Sequence, residues 1–266
     1  MLTYDSLLDL SNSRGMPHAK LRGILREYLQ ILILKELYRN NLGKKLYFTG
    51  GTYLRLVHNL KRFSEDLDFD SDSITKNEFE ELVKKLRIEL KRIGLESQIK
   101  FDHFKNVYSS KLIFPAIEEK YNVQSKYSKK QGIVIKIETN QSKNKIKNET
   151  QVISGFGEFF LCVCTKIDIS FANKIDALIK KERGRHIYDL IFMLSNNFPI
   201  DTKTLQRLGI KINPLKAISD RIASFSKAEL KKQAETLRPF LFDEKEADLI
   251  VSAHEVLPKL LSRYKD

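Results

Sequence analysis

Residues 46–70 constrain the fold more than any other part of the chain. A short apolar run over residues 46–49 leads into the glycine pair Gly50 and Gly51 and then into TYLRLVHNL, which can form a helix. Glycines after a strand allow successive backbone amides to converge on an anion, and the positive end of the helix dipole favours phosphate. The spacing predicts a strand, a tight turn and a helix start, where Thr52 adds a hydroxyl donor.

An acidic strand follows at DLDFD. Alternation places Leu67 and Phe69 on one side and Asp66, Asp68 and Asp70 on the other. Nucleotidyl transfer needs divalent metals held by clustered carboxylates, and Mg²⁺ accepts a few carboxylates together with phosphate oxygens and water. A lone Asp-x-Asp is more often a solvated edge, but the glycine turn upstream favours a metal site at Asp66 and Asp68 for Mg²⁺ or Mn²⁺.

The remaining patterns predict a mixed α/β chain. Helical periodicity covers residues 18–40 and 76–93, the latter ending at Gly94, and strand-like runs lie near residues 111–114, 132–138 and 159–165. A lysine-rich loop is expected over residues 141–150, and from Ser170, a plausible N-cap, the chain turns helical. We expect a core over residues 1–195, including the N-terminal helix, and a helical C-terminal domain over residues 196–266.

Charge and composition bear on partners and location. The chain carries 47 Lys and Arg against 34 Asp and Glu, a formal net charge of +13. This balance favours a polyanionic partner, although a lysine-rich proteome gives the same balance. Candidate contacts for such a partner are Lys129, Lys130, Lys143, Lys145, Lys147, Lys231 and Lys232. No apolar run long enough to span a membrane and no signal-peptide pattern is present, so we expect a soluble, cytoplasmic protein.

Two blocks resemble one known family. The run FTGGTYLRLVHNLKRFSEDLDFD resembles the opening signature of the AbiEii/AbiGii toxins, a branch of the polymerase-beta-like nucleotidyltransferases linked to abortive phage infection and toxin–antitoxin pairs. FANKIDALIKKERGRHIYDLIFML is similar to the later signature, in which a Lys and an Ala-Leu pair precede Arg-Asp-x-x-Asp-Leu. The resemblance organises residues 18–194 and implies a nucleotidyltransferase fold: a small mixed sheet flanked by helices, followed by a helical domain.

The resemblance also implies roles for the first block. Gly50, Gly51 and Thr52 would hold the triphosphate, and Ser64 would lie close to it. Apart from the resemblance, the positions of Arg62 and Arg55 suit either a phosphate contact or a brace for Asp70 and Glu65, and the sequence does not choose between these roles.

The metal ligands carried over are Asp66 and Asp68. Relatives in the superfamily use a third acidic residue on a later strand. Glu138, which closes an apolar strand, is the best candidate, and Asp168 is a rival.

The second block would supply two further site residues. Lys174 would contact the nucleotide, and Asp189 would complete the pocket. An ion pair between Arg185 and Asp189, four residues apart on a helix, explains Asp189 equally well. The chain departs from the family pattern at His186, where Asp is usual.

The implied activity is Mg²⁺-dependent transfer of a nucleoside monophosphate from an NTP to an acceptor, with release of pyrophosphate. The net charge favours an RNA acceptor, such as a tRNA 3′ end, and the chain would then act as a toxin with a possible cognate antitoxin. The alternatives are nucleotidylation of a protein, and a non-catalytic RNA-binding protein with the same fold.

Overall fold

The structure is a computed structural model that describes residues 1–123 and 132–265. Two of the candidate lysines, Lys129 and Lys130, lie outside the described residues. The chain divides into two compact units. The first comprises Met1–Asn59 and Phe63–Thr165, and the second comprises Leu60–Arg62 and Lys166–Asp266.

The first unit holds a seven-stranded sheet in the order β3-β4-β5-β2-β1-β7-β6. Its strands are β1 (Tyr47–Thr49), β2 (Leu67–Ser71), β3 (Gln98–Phe101), β4 (Val107–Phe114), β5 (Ile133–Gln141), β6 (Asn148–Gly155) and β7 (Glu158–Thr165). The pairs β1–β7 and β2–β5 are parallel, and the other neighbours are antiparallel. The mixed sheet expected from the sequence is confirmed.

The α-helices of this unit within residues 1–123 and 132–165 are α1 (Tyr4–Asn12), α2 (Leu21–Arg39), α3 (Gly50–His58), α4 (Lys76–Arg92) and α5 (Ile117–Lys120). Helix α4 begins with a capping box between Thr75 and Glu78, and Gly94 follows its end with a φ of +83°. The helix expected over residues 76–93 therefore begins where expected and ends within one residue of the expected end.

Helix α2 is buried on nearly all sides, which the amphipathic pattern did not predict. Its polar residues are accommodated by ion pairs: Glu27 accepts from the guanidinium of Arg55, with the Nε atom 2.9 Å from Oε2, and both side chains are almost fully buried. Buried charges are tolerated only when they are paired in this way. The helix therefore forms the centre of the first unit.

The second unit is helical throughout its described part. Its helices are α6 (Ile167–Lys180), α7 (Gly184–Ser195), α8 (Thr202–Arg207), α9 (Pro214–Ala223), α10 (Lys227–Leu237), α11 (Asp248–Val251) and α12 (Ala253–Arg263). The segment Leu60–Arg62 joins this unit, where Arg62 forms a β-bridge with Leu241.

Two boundaries differ from the sequence-based expectation. The units divide after Thr165 rather than after residue 195, because α6 and α7 pack with the later helices. Helix α6 begins at Ile167, so Ser170 lies inside it and is not its N-cap. Within the described residues, no helix is long and apolar enough to cross a membrane.

Candidate active site

The glycine turn contacts the acidic strand directly. Helix α3 begins at Gly50, immediately after β1, and Gly50 has a φ of +82°. A Cβ atom at this position would lie 2.4 Å from the Oδ2 atom of Asp68. Only glycine fits both the backbone conformation and this close approach. The turn thus places backbone beside the carboxylate of Asp68.

Hydrogen bonds from Thr52 and Gln30 help to hold the loop before β2. The hydroxyl of Thr52 donates to the carbonyl oxygen of Asp66, and Thr52 is 1% exposed. The side-chain amide of Gln30 donates to the carbonyl oxygen of Ser64 at 3.1 Å. Thr52 therefore positions the loop that carries Asp66. The triphosphate contacts expected for Thr52, Gly50, Gly51 and Ser64 stay predictions.

Strand pairing brings Glu138 of β5 beside Asp68 of β2. Asp68 on β2 is the register partner of Glu138 on the parallel strand β5. Both residues are half-buried and alternate with buried apolar neighbours, so they lie on the same face of the sheet. Asp168, the rival, lies in the second unit near the start of α6. We call Asp66, Asp68 and Glu138 the acidic cluster.

A lysine that the sequence analysis did not single out lies in this cluster. Lys136 forms an ion pair with Glu138, two residues along β5. Burial alone lowers the pKa of Lys136, but the charges of Glu138, Asp66 and Asp68 outweigh it and raise that pKa. The period-two spacing of Lys136 and Glu138 was visible in the sequence, whereas their pairing with Asp68 on β2 depends on the sheet register.

The donor chemistry of Asp66 and Asp68 fits a hard divalent ion. Mg²⁺ is commonly bound through one or two carboxylates together with phosphate oxygens and water. Across residues 1–123 and 132–265, no three His, Cys, Asp or Glu side chains are gathered in an arrangement ready to hold a metal. The parts of Asp66, Asp68 and Glu138 in metal binding stay predictions.

Asp70, the second acid of β2, has a structural partner. Its Oδ2 atom accepts a hydrogen bond from the hydroxyl of Thr165 at 3.0 Å. Burial raises the pKa of Asp70 to about 6, against the opposing effect of hydrogen bonds from Thr165 and Asn140. Asp70 therefore ties β2 to the end of β7.

In the second unit, two cations converge on Asp189. The guanidinium of Arg62 donates from Nε to Oδ1 at 2.7 Å and from Nη2 to Oδ2 at 2.8 Å. The ammonium of Lys174 lies 2.6 Å from Oδ2. Arg62 is 3% exposed and Asp189 is fully buried. We call Arg62, Lys174 and Asp189 the buried ion cluster.

The contacts within the buried ion cluster determine the charge state of Asp189. Burial alone raises the pKa of Asp189, but Arg62 and Lys174 outweigh it and hold that pKa well below its usual range. Asp189 pairs with these two cations in place of the expected partner Arg185. A buried carboxylate with both oxygens engaged can position its partners, and the site roles expected for Asp189, Arg62 and Lys174 stay predictions.

His186, the departure from the family pattern, lies one turn before Asp189 on α7. It is 7% exposed, and neither ring nitrogen has a hydrogen-bond partner among the described residues. Burial lowers the pKa of His186 to about 3, with a further lowering from the charge of Lys174. The imidazole is therefore neutral at physiological pH.

Comparison with solved structures shows the fold. The JHP933 protein of Helicobacter pylori superposes with a TM-score of 0.51 at 19% identity, covering 94% of each chain. MenT4, a nucleotidyltransferase toxin of Mycobacterium tuberculosis H37Rv, superposes with a TM-score of 0.56 at 17% identity, covering 100% of each chain. The nucleotidyltransferase fold expected from the sequence is confirmed.

Sequence comparison shows the family. No curated protein matches the chain. The profile described as nucleotidyl transferase AbiEii toxin, type IV toxin–antitoxin system, matches residues 32–251. This match takes in both sequence blocks, and the family expected from them is confirmed. The chain belongs to the AbiEii family of nucleotidyltransferase toxins of type IV toxin–antitoxin systems.

Proposed function

We propose that the chain transfers a nucleoside monophosphate from an NTP to RNA, such as a tRNA 3′ end, in a reaction that depends on Mg²⁺ or Mn²⁺. The observation that carries this proposal is the acidic cluster of the first unit, where the β2–β5 register sets Glu138 beside Asp68 and the Gly50 turn contacts the same carboxylate. A glycine turn beside clustered acids is the arrangement that phosphate binding and metal binding together require.

The reaction forms one bond and breaks one. The acceptor hydroxyl oxygen attacks the α-phosphorus of the NTP, the bond from that phosphorus to the α–β bridging oxygen breaks, and pyrophosphate leaves. Asp66 and Asp68 would hold the divalent ion, which would neutralise phosphate charge and lower the pKa of the acceptor hydroxyl. Backbone amides at Gly50 and Gly51 would contact the phosphates, and Ser64 would lie beside them.

The proposed partners follow from charge and family. A net charge of +13 favours a polyanionic acceptor. Exposed lysines suited to phosphate contacts lie on the loop between β5 and β6 and on α10: Lys143, Lys145, Lys147, Lys231 and Lys232. The type IV family implies a cognate antitoxin. Because NTPs and RNA are the proposed substrates, we place the protein in the cytoplasm.

A transfer assay tests this proposal. Purified protein is incubated with Mg²⁺, total cellular RNA and cell extract protein, and each α-labelled NTP in turn, and RNA is then separated from protein. We expect label in the RNA fraction, dependent on the metal, with one NTP preferred. Label only in the protein fraction would favour nucleotidylation of a protein, and metal-independent RNA binding without any label would favour a non-catalytic role.

A further inference from the structure

The acidic cluster contains its own cation. Lys136 and Glu138 lie two residues apart on β5, so their side chains leave the same face of the sheet. Their ion pair is partly buried, with side-chain exposures of 34% for Lys136 and 24% for Glu138. Partial burial reduces the screening that weakens exposed ion pairs. The pair is therefore more than a solvated surface contact.

The charge of Lys136 is felt by all three acids. Glu138, Asp66 and Asp68 each attract the ammonium of Lys136, and the strand register sets Glu138 beside Asp68. Without a cation, these carboxylates would repel one another across neighbouring strands.

A neighbouring lysine on the same face has a different partner. Lys111 on β4 is the register partner of Lys136, and its ammonium lies 3.9 Å from Asp102. Lys111 is thus a matched control: a cation on the same sheet face that pairs outside the acidic cluster.

We propose that Lys136 is a resident counter-cation of the acidic cluster, which stabilises the metal-free protein and must leave Glu138 when a divalent ion is loaded. This proposal rests on the proposed function, because it takes Asp66 and Asp68 as the metal site. A divalent ion and an ammonium repel at the distances within one carboxylate cluster. The affinity for metal is then set partly by competition with Lys136.

The first test compares three variants with the wild type in the absence of NTP. Affinity for Mn²⁺ is measured by electron paramagnetic resonance, and thermal unfolding is measured without metal. For Lys136→Met we expect about tenfold tighter Mn²⁺ binding, a lower melting temperature without metal, and a larger rise in melting temperature when Mn²⁺ is added. Lys136→Arg keeps the charge and should behave like the wild type, and so should Lys111→Met.

A second measurement uses the wild-type protein, so that it does not depend on a destabilised variant. Lysine side chains are labelled with ¹³C at Cε, and the Lys136 resonance is assigned from its absence in Lys136→Arg. We expect this resonance to move when Mg²⁺ is added, while that of Lys111 stays. The proposal would be overturned if folded Lys136→Met bound Mn²⁺ with unchanged or weaker affinity, or if the Lys136 resonance kept its chemical shift at saturating Mg²⁺.

The wild-type result separates this proposal from the proposed function. Wild-type protein that binds Mn²⁺, with binding lost in Asp66→Ala and Asp68→Ala, supports the metal site whatever Lys136→Met does. Equal Mn²⁺ binding by wild type and Lys136→Met then rejects only the role of Lys136. No Mn²⁺ binding by the wild type, with or without NTP, rejects the metal site itself.

Discussion

Arg62 binds both carboxylate oxygens of Asp189, with its Nε atom 2.7 Å from Oδ1 and its Nη2 atom 2.8 Å from Oδ2. Planar, bidentate pairs of this kind are the strongest hydrogen-bonded ion pairs in proteins. Lys174 shares the same carboxylate. Removing Asp189 would therefore leave two cations facing each other inside the second unit.

Asp189→Ala should destabilise the protein strongly. Breaking a buried ion pair by removing one partner costs about 3–5 kcal/mol, because the remaining charge is left uncompensated. Urea unfolding measures the change, with Glu235→Ala, which breaks the exposed pair with Arg238, as the control that should unfold like the wild type. An Asp189→Ala protein as stable as the wild type would show that Asp189 is not a structural anchor.

Gly50→Ala should displace Asp68 of the acidic cluster as well as strain the turn. The new methyl group would meet the Asp68 carboxylate at 2.4 Å, so Asp68 must move. Gly157→Ala is the matched control, because Gly157 also has a positive φ, +77°, but a Cβ atom added there would have no neighbour within 4 Å. We expect both variants to lose about 1 kcal/mol of stability from backbone strain.

Affinity for Mn²⁺ should distinguish these two glycine variants. It should fall in Gly50→Ala and stay at the wild-type value in Gly157→Ala. If both variants bind Mn²⁺ as the wild type does, then the Gly50 turn does not position Asp68.

His186→Leu should make the protein more stable. Replacing a buried imidazole whose nitrogens have no partner among the described residues by an apolar side chain removes a desolvation cost of about 1 kcal/mol or more. Chemical denaturation at neutral pH measures the gain. A loss of stability in His186→Leu would show that the imidazole is satisfied in the folded protein.

The same histidine predicts a pH dependence. Its pKa is about 3 in the folded protein against an ordinary 6.5, so between these values the unfolded chain binds a proton that the folded protein does not. Above pH 6.5 the protonation of His186 does not affect the free energy of unfolding. As the pH falls below 6.5, that free energy decreases by at most about 1.4 kcal/mol per pH unit. Comparing wild type with His186→Leu between pH 7 and pH 5, we expect the stability difference to widen on acidification; a constant difference would contradict the low pKa.

Local patterns predicted the parts of the fold that depend on neighbours in sequence. The glycine turn after β1, the alternation of Asp68 with buried residues on β2, and the end of α4 at Gly94 each follow from a few adjacent residues. The family was also evident, because its signatures are contiguous blocks.

Long-range partners were not predictable from these patterns. Arg62 and Asp189 are separated by 127 positions in the chain, and the helix spacing suggested Arg185 instead. Lys136 became significant only once the β2–β5 register was known. The division after Thr165 likewise depends on which helices pack together, which no local signal specifies.

If the acidic cluster carries out nucleotidyl transfer, the reaction must depend on Asp68. The preferred NTP, labelled at the α- or the γ-phosphate, is therefore compared in wild type, Asp68→Asn and the control Asp102→Asn, whose carboxylate is exposed. We expect the α-label to enter RNA with the wild type and Asp102→Asn but not with Asp68→Asn, and the γ-label to enter RNA with none of them. Transfer by Asp68→Asn at the wild-type rate would show that the acidic cluster does not carry out the reaction, and transfer of the γ-label would show that the reaction is not nucleotidyl transfer.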